Sequence, residues 1–298
     1  MLPNLKQLEA LHWAAQLGSF QAAANRLHTT QSAVSKRIAE LEATVGRPLF
    51  DRSRRTSQLT PAGQRLAAGA QEMLEMGNRL LSELSEPEDY EGVFRVGATD
   101  LIGMSWLPRF MRRVQQTYPR VLLEIDVDTG GHLLEKLGQG RYDLALVPGP
   151  MWGRLFEDVP LRTLERSWMA SPSLGMPRRA LTVQELARYP LVSQYADTIH
   201  ARLQSAWFAR AGVPMQANVL ANSFAVVGEL VQAGAGIAQL PVRFYQEALR
   251  AGRLVKLRVT PELPNVKYFA VRRRTSPHRL AESLAKMAKA ECDFGARG

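Results

Sequence analysis

Cysteine is almost absent from this chain of 298 residues: Cys292 stands alone. An intramolecular disulfide, a thiolate metal cluster and redox sensing by paired thiols within one chain are thereby excluded. The five histidines (His12, His28, His132, His200 and His278) show no ligand spacing, so no metal is expected. Long apolar runs are lacking too. No stretch approaches the roughly 18 uninterrupted apolar residues of a membrane span. The opening MLPNLKQLEALHW has neither the basic region nor the apolar core of a signal peptide, so a cytoplasmic location away from membranes is expected. Catalytic motifs are missing as well: there is no G-x-S-x-G elbow and no Walker loop. The G-A-G of Gly234, Ala235 and Gly236 is too short for a dinucleotide fingerprint and precedes a strand instead of following one. The expectation is a protein that is not an enzyme and carries no cofactor.

What is present is ordinary soluble composition: 46% of residues are hydrophobic and 22% charged, enough apolar matter for two or three cored domains at this length. The net charge of +10 suits a nucleic-acid partner, but its distribution is uneven. Residues 1–86 contribute +2 and the rest +8. Either arginine-rich surface or an anionic ligand accounts for the surplus beyond residue 86.

The chain is organised around residues 18–42, GSFQAAANRLHTTQSAVSKRIAELE, which read as two short helices joined by a tight turn. Ser19 caps the first, and Phe20, Ala23, Ala24 and Leu27 recur on one face. His28 and Thr29 make the turn; Thr30 caps the second helix, whose inner side carries Ala33, Val34, Ile38 and Leu41. Gln31, Ser32, Ser35 and Lys36, with Arg37 beside them, are left for the outer face, and amides, hydroxyls and cations there suit a DNA major groove. An ordinary helical hairpin with a solvated face is the alternative. After it, GRPLFDRSRRTSQLTPAG sets Phe50 and Leu59 on two short extended pieces around a basic turn. Arg52, Arg54 and Arg55 sit where a hairpin wing reaches phosphates or the minor groove.

Residues 1 to about 85 resemble the N-terminal domain of LysR-type transcriptional regulators. The resemblance rests on Phe20 and the alanines after it, on the run from Gln31 through Ser35, and on Leu41, Glu42 and Gly46. It continues through Leu49, Phe50, Asp51 and Arg52 to Leu59, Thr60, Pro61, Ala62 and Gly63. Ser32 departs from the pattern, since many members carry proline there; serine gives up a rigid first-turn residue and supplies a hydroxyl.

Thr60 and Pro61 start a long helix running to about residue 85. Leu66, Ala70, Met73, Gly77, Leu80 and Leu84 alternate spacings of four and three, a heptad-like seam. Packing onto its own domain and pairing with a second copy both explain such a seam; a dimer also suits two recognition helices on a pseudo-palindromic site. The acidic, proline-containing stretch of residues 86–92 reads as a linker. Beyond it strands and helices alternate, first over residues 94–147 and again from about residue 164, which favours parallel sheets covered by helices. Expected helices include residues 103–117, 198–211 and 223–233, with Thr182 and Glu185 as a capping box for a shorter one.

The LysR resemblance extends here through Leu107 and Pro108, Tyr118 and Pro119, the run from Gly140 to Leu144, Tyr189 to Leu191, and the stretch from Gly234 to Pro241. It implies a winged helix-turn-helix over residues 1–60, a linker and dimerisation helix over 61–86, and an α/β effector-binding domain over 87–298. That domain would hold two periplasmic-binding-protein-like subdomains, one from about 92–163 with 267–298 and the other about 164–266. The implied function is a sequence-specific regulator of transcription, acting on double-stranded DNA as a homodimer or homotetramer, with RNA polymerase as a further partner.

Ligands of open α/β sheets sit beyond the carboxyl ends of strands, at helix starts. In the first subdomain those positions are Thr99, Asp100, Leu101, Ile102, Thr129, Gly130, Pro148 and Trp152. In the second they are Gln194, Tyr195, Thr198, Asn222, Ser223 and Gln239. A small polar anion is expected between the subdomains, although Asp100 calls for a cationic or hydroxyl group on it. A free solute-binding protein would have an export signal and no helix-turn-helix, and a nucleoid-type DNA packager would have no use for so large an α/β region.

Overall fold

Asn4 opens the first helix with a capping box: its Oδ1 accepts the Gln7 N–H at 2.9 Å while Gln7 Oε1 accepts the Asn4 N–H at 3.0 Å. That helix, α1 (Leu5–Leu17), begins a computed structural model that describes residues 2–51, 58–82, 90–150, 153–274 and 279–295. The chain divides into two compact units, Met1–Leu84 and Ser85–Gly298.

In the first unit α1 stops at Gly18, whose φ of 63° is the left-handed value that glycine adopts without penalty. Helix α2 (Phe20–Arg26) follows, then α3 (Gln31–Val45), with His28 at positive φ in the turn between them. Strands β1 (Phe50–Asp51) and β2 (Gln58–Leu59) pair antiparallel, and α4 (Pro61–Ser82) completes the unit. Glu42 ties the end of α3 to the hairpin, its Oε1 accepting the N–H groups of Leu49 at 2.8 Å and Phe50 at 3.3 Å. Gly63 is there because of space: a Cβ would lie 2.1 Å from the Leu49 carbonyl oxygen. The core is Leu8, Leu11, Val34, Ile38, Leu41, Leu49 and Phe50, with Phe20 meeting Phe50 edge-on at 5.0 Å.

Ala70 belongs to that same core and Leu66 packs against it, so these two members of the expected dimer seam are used inside the monomer, where α4 lies on α1. Ala33, expected on the inner side of α3, is only half-buried. Met73 and Met76, farther along α4, are 55% and 49% exposed. Gly77 is half-exposed, and the Leu80 side chain and Leu84 lie outside the described residues.

The second unit starts with β3 (Gly92–Ala98), α5 (Asp100–Met104), α6 (Leu107–Thr117), β4 (Val121–Val127), α7 (Gly130–Gly138) and β5 (Leu144–Gly149). The single helix expected over residues 103–117 is in fact two. Ser105 Oγ turns back onto the Leu101 carbonyl at 2.6 Å, and the Trp106 ring is fully buried at the break. Next comes β6 (Phe156–Leu164), a strand that sequence reasoning did not single out. The chain then builds β7 (Arg166–Ala170), β8 (Leu181–Thr182), α8 (Val183–Leu186), β9 (Val192–Gln194), α9 (Ile199–Arg210) and β10 (Val219–Ala221). It ends with α10 (Phe224–Gln232), β11 (Ala238–Pro241), α11 (Gln246–Arg250), β12 (Val255–Lys256), β13 (Val259–Thr260), β14 (Val266–Arg273) and α12 (Arg279–Glu291).

One sheet has the order β4-β3-β5-β14-β6, with β3 parallel to β4 and β5, and β14 antiparallel to β5 and β6. The other half holds β11-β7-β12 and the parallel pairs β9 with β10 and β8 with β13. The chain leaves the first sheet between β6 and β7, at Glu165, and returns just before β14, at Pro264 and Asn265. Helix α12 packs on α6, β6 and β14, closing the first half with Leu280 and Leu284. A continuous apolar core joins the halves, from Leu101 and Ile102 to Phe224 and Val227.

Candidate DNA-reading surface and ligand cleft

Thr30 caps α3 by accepting the Ala33 N–H on its Oγ1 at 3.2 Å, and its hydroxyl also meets Ser32 Oγ at 2.9 Å. Thr30, Gln31, Ser32 and Lys36 are exposed; Ser35 and Arg37 are half-exposed. Gln31 and Ser35 form one i,i+4 pair and Ser32 and Lys36 another, while Val34, Ile38 and Leu41 hold the opposite side in the core. The burial of those three residues fixes which face is presented. Arg52, Arg54 and Arg55 lie outside the described residues.

The second unit holds two adjoining cavities of about 30 and 20 Å³, each with room for a water molecule or two; the larger lies where its halves meet, and the smaller is lined by the second half alone. The larger is lined from the first half by Thr99, Asp100, Thr129, Gly130 and Pro148, and from the second by Gln194, Thr198 and Asn222. These come from the predicted positions. Gln239 lines the smaller cavity, and Gln194 both. Leu101 and Ile102 do not line either one; the first turn of α5 drives their side chains into the apolar core, where both are fully buried. Tyr195 is 48% exposed and lines neither cavity, and Trp152 lies outside the described residues. The Ser223 hydroxyl accepts the Ala225 N–H at 3.2 Å and bonds to Asp100.

Asp100 bridges the cleft. Its Oδ2 accepts the Phe224 N–H at 2.6 Å, so a carboxylate from the first half caps a helix start in the second. Burial nevertheless raises its pKa above the ordinary carboxylate value, against the pull of those hydrogen bonds. Asp128 lines the same cavity but is neutralised by Lys136, whose Nζ donates to it and to Asp126 at 3.1 Å each.

Sequence reasoning missed Asp128, Arg166, Ser193, His200, Gln204, Phe224 and Tyr268 among the lining residues. Arg166 is 7% exposed and has no carboxylate partner among the described residues. It donates from Nη1 to His200 Nδ1 at 3.1 Å and from Nη2 to the Pro264 carbonyl at 2.8 Å. Because a guanidinium only donates, His200 Nδ1 must accept, and the imidazole proton resides on Nε2. Nε2 then donates to Tyr268 Oη, 3.0 Å away. Burial, then the Arg166 charge, depresses the His200 pKa well below its ordinary value and keeps the ring neutral. Burial lowers Arg166 itself to about 10 and drives Tyr268 far up. Buried polar atoms around the cavities that lack a hydrogen-bond partner include Thr129 Oγ1, Arg166 Nε, Gln194 Oε1 and Gln239 Oε1. Such atoms are costly to leave unpaired. No cluster of metal-binding side chains occurs among the described residues, and none of their helices is long and apolar enough to cross a membrane.

Comparison with known proteins agrees with this division of labour. Residues 5–64 match the family model of the bacterial regulatory helix-turn-helix protein, lysR family, and residues 87–293 match that of the LysR substrate binding domain. Among relatives, a probable hydrogen peroxide-inducible genes activator of Streptomyces viridosporus is 30% identical over 94% of this chain and 91% of its own. The HTH-type transcriptional activator AmpR of Rhodobacter capsulatus is 28% identical over 85% and 84%. Among solved structures, a cysteine mutant of Corynebacterium glutamicum OxyR covers 99% of this chain and 95% of its own at a TM-score of 0.69 and 23% identity. Full-length CbnR complexed with its target DNA covers 97% and 100% at 0.62 and 18%, a likeness of fold. Together the two matched segments span most of the chain, which therefore belongs to the LysR family: it is a transcriptional regulator with a helix-turn-helix DNA-binding domain and a substrate-binding domain, and it is not an enzyme.

Proposed function

We propose that this regulator, acting in the cytoplasm as a homodimer or homotetramer, reads its operator with the exposed first two turns of α3. We further propose that a small polar molecule bearing an anionic group binds between the halves of the second unit and sets how tightly the DNA is held. The observation that carries the ligand reading is Arg166, a buried guanidinium without a carboxylate, facing a cavity lined by further unpartnered polar atoms. A buried charge left uncompensated is strongly destabilising, so a cation held this way favours an arriving anion.

Gln31, Ser35 and Lys36 would contact base edges, and the wing arginines would contact phosphates. In mobility-shift titrations against the intergenic DNA beside its own gene, Gln31→Ala and Ser35→Ala are expected to lose specific affinity and keep non-specific affinity. Arg52→Ala and Arg54→Ala would instead weaken binding to every sequence and flatten its salt dependence. Equal loss of both kinds of affinity in the α3 variants would remove the recognition role from this helix. The ligand half is tested by thermal-shift screening of metabolites against the full chain, since a ligand that binds only the native state raises its stability. Hits that persist undiminished in a Thr99→Val, Gln194→Ala double variant would place the site elsewhere.

A further inference from the structure

Two charged side chains line the two adjoining cavities, Arg166 the smaller and Asp100 the larger, and neither has an ion-pair partner among the described residues. Arg166, on β7, is buried; Asp100, at the start of α5, is half-buried and meets only uncharged donors, the Phe224 N–H and the Ser223 hydroxyl among them. They cannot pair with each other. Arg166 reaches His200 and His200 reaches Tyr268, so a neutral imidazole and a phenol stand between the guanidinium and the wall that carries Asp100. The cleft therefore has a positive end and a negative end, with cavities that share Gln194, His200 and Phe224.

We propose that the ligand is a small zwitterion of the α-amino-acid type, its carboxylate toward Arg166 and its ammonium toward Asp100. The proposal rests on the reading of the cleft as the ligand site and narrows the ligand class. A plain dianion would satisfy Arg166 and be repelled at the Asp100 end. A plain amine would do the reverse. Unpartnered atoms match a zwitterion at both ends. Arg166 Nε offers a donor for the carboxylate, whereas Gln194 Oε1, shared by both cavities, offers an acceptor for ammonium hydrogens, and Gln239 lines the carboxylate end beside Arg166. All three of these side chains are more than nine-tenths buried.

Neither cavity as it stands admits an amino acid, so binding requires the halves to part about the two crossings. Arg166 is built into that hinge. Its backbone N–H donates to Asn265 Oδ1 at 3.3 Å and its Nη2 to the Pro264 carbonyl at 2.8 Å, which ties the outgoing strand to the returning one. A carboxylate on Arg166 thus acts on the residue that links the crossings.

The test is thermal shift and titration calorimetry on the full chain, using the common L-amino acids as probes. For the strongest binder, its N-acetyl derivative, its carboxamide and the matching 2-oxo acid are added. At least one amino acid is expected to raise the melting temperature, with each derivative binding about tenfold or more weakly. Arg166→Gln should abolish the response, and Asp100→Asn should weaken the amino acid while leaving the 2-oxo acid unchanged. If 2-oxo acids or N-acetyl derivatives bind as well as the amino acids, the zwitterion is wrong and the cleft still holds an anion. No response to any amino acid overturns the proposal; a metabolite hit from the wider screen that is lost in the Thr99→Val, Gln194→Ala variant would leave the cleft reading standing. Should Arg166→Gln unfold, Gln239→Ala lines the same cavity without tying the hinge and is expected to weaken the amino acid about tenfold; undiminished binding there would also overturn the proposal.

Discussion

His200 sits among five histidines that show no ligand spacing, and nothing around it in the sequence announces a role. Its partners, Arg166 and Tyr268, come from strands far away along the chain, so only folding reveals the relay. The same holds for Arg166, which reads in sequence as one of many surface arginines. A depressed native pKa means that the unfolded chain takes up a proton below the ordinary histidine value of 6.5 and the native chain does not. The stabilisation is thus present above that pH and is lost as pH falls, at up to about 1.4 kcal/mol per pH unit. His200→Gln keeps an acceptor and a donor without the titration. Melting temperatures compared at neutral and mildly acidic pH should therefore fall more for the native chain than for this variant; parallel curves would mean that the ring is not held neutral. For Asp100 the sign is reversed. Its pKa is raised in the native state, so the stabilising contribution belongs to low pH and is lost as pH rises through the native value. Asp100→Asn should hold or raise the melting temperature at neutral pH, while Asp100→Ala, which loses the acceptor for the Phe224 N–H, should cost about 1–2 kcal/mol. An Asn variant less stable than the Ala variant would contradict this reading.

Elements whose ends carry their own chemistry were legible in the sequence. Ser19, Thr30 and the pair of Thr182 and Glu185 cap the helices they were expected to cap. Strand β6 was not legible: FEDVPLRTL alternates poorly, and its partner β14 lies far downstream, so its pairing is a tertiary fact. The break between α5 and α6 escaped for a similar reason, since it depends on the packing of Trp106. In α4 the heptad-like spacing merged two different uses of one helix. Its first half is covered by α1, whereas Met73 and Met76 remain exposed. Leu66→Ala should therefore destabilise the first unit by about 1–3 kcal/mol, because Leu66 is only partly buried. The pair Met73→Lys and Met76→Lys should leave its melting curve unchanged and dissociate a dimer of residues 1–86 in sedimentation. A fragment that stays dimeric with both lysines would move the contact away from this face.

At the scale of the whole molecule the surplus of positive charge lies beyond residue 86, not in the DNA-binding unit, so overall basicity says little about how DNA is recognised. In the proposed reading the specific information sits on one face of α3, and the control sits in a cleft within the other unit. Cys292 is buried, and burial pushes its thiol up to about 11, leaving almost no thiolate at neutral pH. If cleft and DNA are coupled, a change confined to the cleft must alter operator affinity. The most direct measurement is fluorescence anisotropy of the operator with the full chain, native against Asp100→Ala, with Asp100→Asn as the control that keeps the Phe224 N–H satisfied. Loosening the bridge between the halves should change specific affinity about fivefold or more while non-specific affinity stays the same and the proteins remain folded, with Asp100→Asn close to native. Identical operator affinity for native and Asp100→Ala proteins, both folded, would contradict control from the cleft.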